Sequence, residues 1–315
     1  MFSSFSNVYT VRSLLQNLST SLARCRHMNG GAACRTFSNG KDIELSYTAY
    51  PDLEHTVDPK KTPLLFAHGL FGAKGNLHSV SKHLSNDGRK VITYDARNHG
   101  DSDHSSEFNF LCLADDLSDL IEDLGLSEPF VMGHSMGGKT AMTLALTKPE
   151  KLKALVVADI APGKSPGVGK LLDYAKAMKS VEIPKDATLS FARRQAKLQL
   201  SKHVPNEMIL NFLLTNLKVA DDGQIMWRVN FDPFINNFHV IQDFPVAEGS
   251  TFSKPTLFVF GENSDHYRSE GMDKIKTFFP ESEIVAIKDA GHFVHADKPI
   301  EFVRVVQDFC DGVEA

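Results

Sequence analysis

Long apolar runs are missing from this 315-residue sequence: none approaches the roughly 20 residues that a membrane-spanning helix needs. Cysteine is scarce as well. Cys25, Cys34, Cys112 and Cys310 include no Cys-x-x-Cys pair, which argues against a zinc site or a disulfide frame and for reduced thiols in a protein that is not secreted. No basic stripe is present, and a formal net charge of −5 gives nucleic acid no electrostatic footprint to recognise. The remainder, 42% hydrophobic and 23% charged, is the composition of an ordinary soluble globular chain. The length suffices for one large α/β domain or two small ones.

A local absence is more telling. Met1 to Gly40 contains no Asp or Glu, and the first acid is Asp42. The same stretch carries Arg12, Arg24, Arg26 and Arg35, no lysine, and many serines, while Val11, Leu14, Leu15, Leu18 and Leu22 recur at helical spacing. An arginine-rich, acid-poor amphipathic leader of this kind marks an organelle transit peptide. Arg35-Thr36-Phe37-Ser38 resembles a mitochondrial processing site with cleavage after Phe37. Residues 1–40 are therefore expected to be a mitochondrial transit peptide, and residues 41–315 the mature domain, located in the matrix.

Beyond Lys41 the pattern becomes regular. Ile43–Tyr47 alternates like a strand. Pro63–Ala67, Val91–Tyr94, Phe130–Met132, Ala154–Ala158, Thr256–Phe260 and Glu283–Ile287 read as further strands, most of them continuous apolar runs. Short apolar strands alternating with helices predict an α/β fold with a mostly parallel central sheet covered by helices on both faces. Leu113, Leu117, Leu120, Ile121 and Leu124 repeat at 3.6-residue spacing, with Asp115, Asp116, Asp119, Glu122 and Asp123 expected on the solvated face. Residues from about 162 to 249 break the rhythm. They hold helical patterns without convincing parallel strands and are too long for a bare loop, so they are expected to form a helical cap over the active site. The lone tryptophan, Trp227, lies within it and is assigned to packing.

Gly133-His134-Ser135-Met136-Gly137 sits where the strand Phe130–Met132 should turn sharply into a helix from Lys139 onward. Such a turn exposes the serine hydroxyl above the sheet, and its glycines avoid collisions with the neighbouring strand and helix. A serine hydroxyl needs a base to become a nucleophile near neutral pH. His292, in a glycine-bearing loop after the last strand, is the candidate base. An acid must hold that imidazole in the correct tautomer. Asp159 at the end of Ala154–Ala158 and Asp265 after Thr256–Phe260 both stand at strand C-termini, where catalytic groups collect in such sheets, and Glu262 is a third choice. The oxyanion formed on acyl attack needs backbone N–H donors, assigned to Met136 at the helix start and Leu70 in His68-Gly69-Leu70-Phe71-Gly72. His134 is assigned to packing, and His292 with His295 makes a poor metal site without further ligands. The polar run Asp95–Ser102 is read as a structural loop tied together by Asp95 and Arg97.

These motifs resemble the α/β-hydrolase superfamily, with its Ser…Asp…His chain order. More narrowly they resemble the α/β-hydrolase domain-containing protein 11 family and its bacterial esterase and yeast ethanol acetyltransferase relatives. The family-specific blocks are Asp95-Ala96-Arg97-Asn98-His99-Gly100 and Gly133-His134-Ser135-Met136-Gly137-Gly138-Lys139, and the likeness runs over roughly residues 42–312. The resemblance implies an acid within a Val-Asp-Ile type block after the nucleophile helix, which carries over to Asp159, with Asp265 kept as the alternative. It also implies mitochondrial residence, lipid ester hydrolysis and, for animal members, a link with the 2-oxoglutarate dehydrogenase complex. The leading expectation is a serine hydrolase of acyl esters or thioesters that needs no metal or organic cofactor. The alternatives are acyl transfer to an alcohol from the same acyl-enzyme, and a binding role toward a mitochondrial dehydrogenase complex.

Overall fold

The computed structural model describes residues 33–35, 43–51, 57–247, 249–269 and 271–315. Apart from Ala33–Arg35, the expected transit peptide, including its processing site after Phe37, lies outside the described residues. Among the described residues ten strands follow one another as β1 (Ala33–Arg35), β2 (Ser46–Tyr50), β3 (Leu64–Ala67), β4 (Val91–Tyr94), β5 (Phe130–His134), β6 (Ala154–Ala158), β7 (Leu217–Val219), β8 (Ile225–Trp227), β9 (Thr256–Gly261) and β10 (Ser282–Ile287). The helices are α1 (His78–Leu84), α2 (Phe110–Asp123), α3 (Met136–Thr147), α4 (Val168–Lys179), α5 (Leu189–Leu200), α6 (Glu207–Leu214), α7 (Phe231–Asn236), α8 (Phe238–Ile241), α9 (Met272–Phe278), α10 (Val294–Asp297) and α11 (Pro299–Glu314).

Eight strands form one sheet in the order β1-β2-β4-β3-β5-β6-β9-β10. β1 and β2 pair antiparallel at one edge, and every pairing from β4 through β10 is parallel. Each residue of β3, β4, β5, β6 and β9 is buried, which is why these segments are mainly apolar rather than alternating, with Thr93, His134 and Thr256 as the buried polar exceptions. Alternation still assigns faces. Leu65, Ile92, Val131 and Leu155 join the core beneath α2 and α3, whereas Leu64, Phe66, Val91 and Met132 join a second core beneath α1 and α11. Each such buried side chain contributes roughly 1.5–3 kcal/mol. Parallel strands need crossovers, and these carry every βα turn to one edge of the sheet, where the polar residues of interest gather.

Three expectations are corrected. The strand expected at Ile43–Tyr47 is β2, Ser46–Tyr50, because β4 supplies partners only from Tyr47 to Tyr50, while Glu44 bonds to Asp103 instead. The acidic side of α2 is not wholly solvated: Asp116 is buried and takes two bonds from the Arg97 guanidinium, at 2.6 and 2.7 Å. Breaking such a buried pair typically costs about 3–5 kcal/mol, so Arg97 serves the fold by anchoring its loop to α2. The insertion between β6 and β9, expected to be helical, also contains the antiparallel hairpin β7–β8 around Asp221-Asp222-Gly223. Strands of three residues are too short for their period to be read. Trp227 ends this hairpin, partly buried and edge-on to Phe231, in agreement with a packing role. Among the described residues no helix is long and apolar enough to cross a membrane.

Candidate active site

Ser135 joins β5 to α3 with φ +53° and ψ −114°, a conformation L-residues avoid. The turn is this tight because backbone fills the space around it. A Cβ on Gly133 would stand 2.1 Å from the Gly137 carbonyl oxygen, and one on Gly137 would stand 2.4 Å from that of Ala67. Only glycine fits at either position. Ser135 N–H donates to the Ala158 carbonyl at 3.1 Å, and the Ser135 carbonyl accepts from Lys139 N–H, so strand and helix hold the residue from both sides.

The chain brings His292 to this serine from 157 residues away. His292 Nε2 lies 3.1 Å from Ser135 Oγ, and its Nδ1 lies 2.7 Å from Asp159 Oδ2. Asp159 is fully buried just beyond β6, with φ +50°. Its other bonds orient it: Gly261 N–H donates to Oδ1 at 2.8 Å and Ser264 Oγ donates to Oδ2 at 2.5 Å. Asp265, the alternative acid, is exposed and opens a short turn over Asp265–Arg268, with no bond to His292. Glu262 is exposed too, and its carboxylate accepts from the Asp289 N–H rather than from His292. The loop after β9 therefore supports the acid from β6 through Ser264 and Gly261, a role that reading the sequence for carboxylates does not reveal.

Histidines surround this line. His134 is buried and donates from Nε2 to the His292 carbonyl at 2.8 Å, which fixes the His292 backbone. Burial, with His295 and His292 nearby, holds His134 well below the usual histidine range, so it is the neutral form that makes this bond. His266 stacks on His292 at 4.6 Å, and burial pushes it down to about 3. Asp159, His266 and His292 place three potential ligand atoms within 4.8 Å of one another, but the Asp159 and His292 atoms already bond to each other.

Leu70 and Met136 both border a cavity of about 300 Å³ that opens onto Ser135 and His292. A second lobe of about 160 Å³ shares Ser135, Leu70 and His292 and is lined mainly by apolar groups, among them Phe212, Leu213 and Phe293. Residues of the β6–β9 insertion wall both lobes. The Asp95 loop stays out of the cavity and is tied internally: Asp95 accepts from Lys74 N–H, Lys74 Nζ and Asp101 N–H.

The chain matches the family model described as the alpha/beta hydrolase fold over residues 62–299. It is 43% identical over 284 residues to the sn-1-specific diacylglycerol lipase ABHD11 of Mus musculus, an alignment covering 88% of this chain and 90% of that protein. It is 32% identical over 301 residues to ethanol acetyltransferase 1 of Cyberlindnera fabianii, covering 90% and 89%. Among solved structures, a marine microorganism esterase superposes with a TM-score of 0.76 at 34% identity, covering 84% of this chain and 98% of that one. A strained serine on a strand–turn–helix elbow, a histidine and a buried aspartate in one hydrogen-bonded line, and these likenesses together place the chain in the α/β-hydrolase family, alongside the ABHD11 lipases, bacterial esterases and yeast alcohol acetyltransferases.

Proposed function

We propose that this serine ester hydrolase cleaves acylglycerol-type carboxylic esters through an acyl-enzyme on Ser135. The observation that carries the reading is the continuous Ser135–His292–Asp159 line at 3.1 and 2.7 Å. Ser135 Oγ attacks the ester carbonyl carbon as His292 Nε2 takes its proton. The carbonyl π pair becomes an oxyanion, facing the Leu70 and Met136 N–H groups. The oxyanion collapses, the C–O bond to the alcohol breaks, and His292 returns the proton to the departing oxygen. Water then repeats the attack with His292 as base, releasing the carboxylic acid and restoring Ser135. Asp159 keeps Nδ1 protonated and stabilises the imidazolium in both halves.

Acyl transfer to an alcohol uses the same acyl-enzyme, and the likeness to an ethanol acetyltransferase favours keeping it as the second reading. Which acceptor wins depends on whether the expected cap, residues 162–249, excludes water. The test is product analysis with a diacylglycerol and a short-chain p-nitrophenyl ester, with and without ethanol. Free acid as the main product in both cases supports hydrolysis, ethyl ester supports transfer, and no turnover of any ester overturns both. The intact catalytic line favours either over a purely binding role in a mitochondrial dehydrogenase complex.

We also propose that the enzyme works in mitochondria, on the strength of the acid-free, arginine-rich Met1–Gly40 leader. Cleavage after Phe37 would remove β1, leaving β2 still paired with β4. Residues 1–40 fused to a fluorescent protein are expected to direct it to mitochondria; uniform cytosolic fluorescence would overturn this.

A further inference from the structure

Lys139 stands one helical turn beyond Ser135, so both side chains leave the same side of the elbow. Only 2% of the residue is exposed. Taking an ammonium out of water costs several kcal/mol unless hydrogen bonds and countercharge replace its hydration. Here the replacement is incomplete. Nζ reaches the Asp243 carbonyl at 3.3 Å and the Gln242 carbonyl at 3.5 Å, both long contacts, and lies 5.4 Å from the centroid of the Phe110 ring. Among the described residues no carboxylate forms an ion pair with it. The Asp243 carboxylate acts on it from a distance and is exposed, so water screens it. Burial lowers the Lys139 pKa to about 8, which leaves it mostly charged at neutral pH.

This cation lines the larger lobe together with Ser135 and His292. The neighbouring His266 is held neutral by burial, and Asp265, the acidic residue in the wall, is exposed. The smaller lobe offers the mainly apolar surface expected to take hydrocarbon. The two lobes meet at the nucleophile, so a bound ester would run from an apolar end, past Ser135, to a buried ammonium that lacks a full set of acceptors.

We infer that the larger lobe is an anion subsite: Lys139 binds a carboxylate or phosphate group carried by the ester substrate at the end opposite its apolar chain. An anionic oxygen would complete the ammonium's coordination with a charge-assisted hydrogen bond in a water-poor site, where such bonds are strongest. The inference rests on the serine-hydrolase reading for its orientation, but the binding itself does not depend on turnover. Lys139 is a specificity residue here, and the chemistry stays with Ser135, His292 and Asp159.

Binding is measured first on Ser135→Ala protein, which cannot turn over. Its thermal midpoint is followed with millimolar adipate, with glycerol 3-phosphate, and with the neutral dimethyl adipate. Adipate or glycerol 3-phosphate is expected to raise the midpoint, and Lys139→Met in the same background is expected to abolish the rise while Lys139→Arg keeps part of it. A rise with adipate alone puts the anion on the acyl group; a rise with glycerol 3-phosphate alone puts it on the leaving alcohol. Kinetics then compare p-nitrophenyl esters ending in a free carboxylate with their methyl-capped isosteres. The wild type is expected to favour the free carboxylate by about 10-fold or more in kcat/KM, chiefly through KM, which corresponds to roughly 1.4 kcal/mol. No midpoint rise with either anion, an equal rise in the Lys139→Met protein, or a wild-type ratio near unity where adipate has raised the midpoint overturns the subsite. Should Lys139→Met not fold, the wild-type ratio and the Ser135→Ala midpoints decide alone. Failure of a fluorophosphonate to label the wild type would instead overturn the hydrolase reading.

Discussion

Ser135→Ala is expected to lower kcat by about 10⁶-fold and to abolish fluorophosphonate labelling, with the fold intact. The size follows from the geometry. Ser135 Oγ is the oxygen held 3.1 Å from His292 Nε2, and alanine leaves His292 with no proton to move. Serine and histidine act as a unit, so the Ser135→Ala/His292→Ala double variant should be hardly worse than either single one. Activity above water would persist through substrate binding and the two proposed N–H donors. Alanine also carries a Cβ into the φ +53° position, as serine does, so the elbow pays no new backbone strain. The measurement is kcat on a p-nitrophenyl ester beside circular dichroism of the variant. A loss below about 100-fold, or equal labelling of the variant, would sink the assignment.

Asp159→Asn should cost about 10⁴-fold in kcat with little change in KM, whereas Asp265→Asn should stay within about twofold of wild type. Asparagine in place of Asp159 can present an N–H to His292 Nδ1. That stabilises the tautomer protonated on Nε2, which cannot accept the Ser135 proton. The carboxylate is also built into its surroundings, through the Gly261 N–H on one oxygen and Ser264 Oγ on the other. Asp265 has none of these bonds and lies exposed. Steady-state kinetics on both variants, with Ser264→Ala as an intermediate case, makes the comparison. A greater loss at Asp265 than at Asp159 would reverse the choice of acid.

Much of the sheet is written locally. Strands buried on both faces favour apolar residues at nearly every position, so Pro63–Ala67, Val91–Tyr94, Ala154–Ala158 and Thr256–Phe260 announce themselves. The period of Leu113, Leu117, Leu120 and Ile121 announces α2 in the same way. Where local pattern carries less information, the reading slipped. Ile43–Tyr47 alternates along its length, and only the position of β4 selects Tyr47–Tyr50 as the part paired with it. Asp116 looks like its exposed neighbour Asp115 until Arg97 arrives from a loop 19 residues away. The hairpin β7–β8 is too short to show a period at all.

The site divides along the same line. Gly133-His134-Ser135-Met136-Gly137 proclaims its elbow because the steric demand is local: Gly133 and Gly137 answer to backbone atoms a few residues away or on the adjacent strand. The sequence by itself thus determined an α/β chain with a serine on a strand–helix turn, a histidine after the last strand, and two aspartates able to support it. The choice between those aspartates belonged to tertiary structure, because a hydrogen bond of 2.7 Å across 133 residues depends on how β6, β9 and the His292 loop are placed side by side. The support given by Ser264, the stacking of His266 and the burial of Lys139 belong there too. Their residue types are ordinary in any loop or helix, and only the packing of distant segments around them, by removing water and fixing partners, gives them a role.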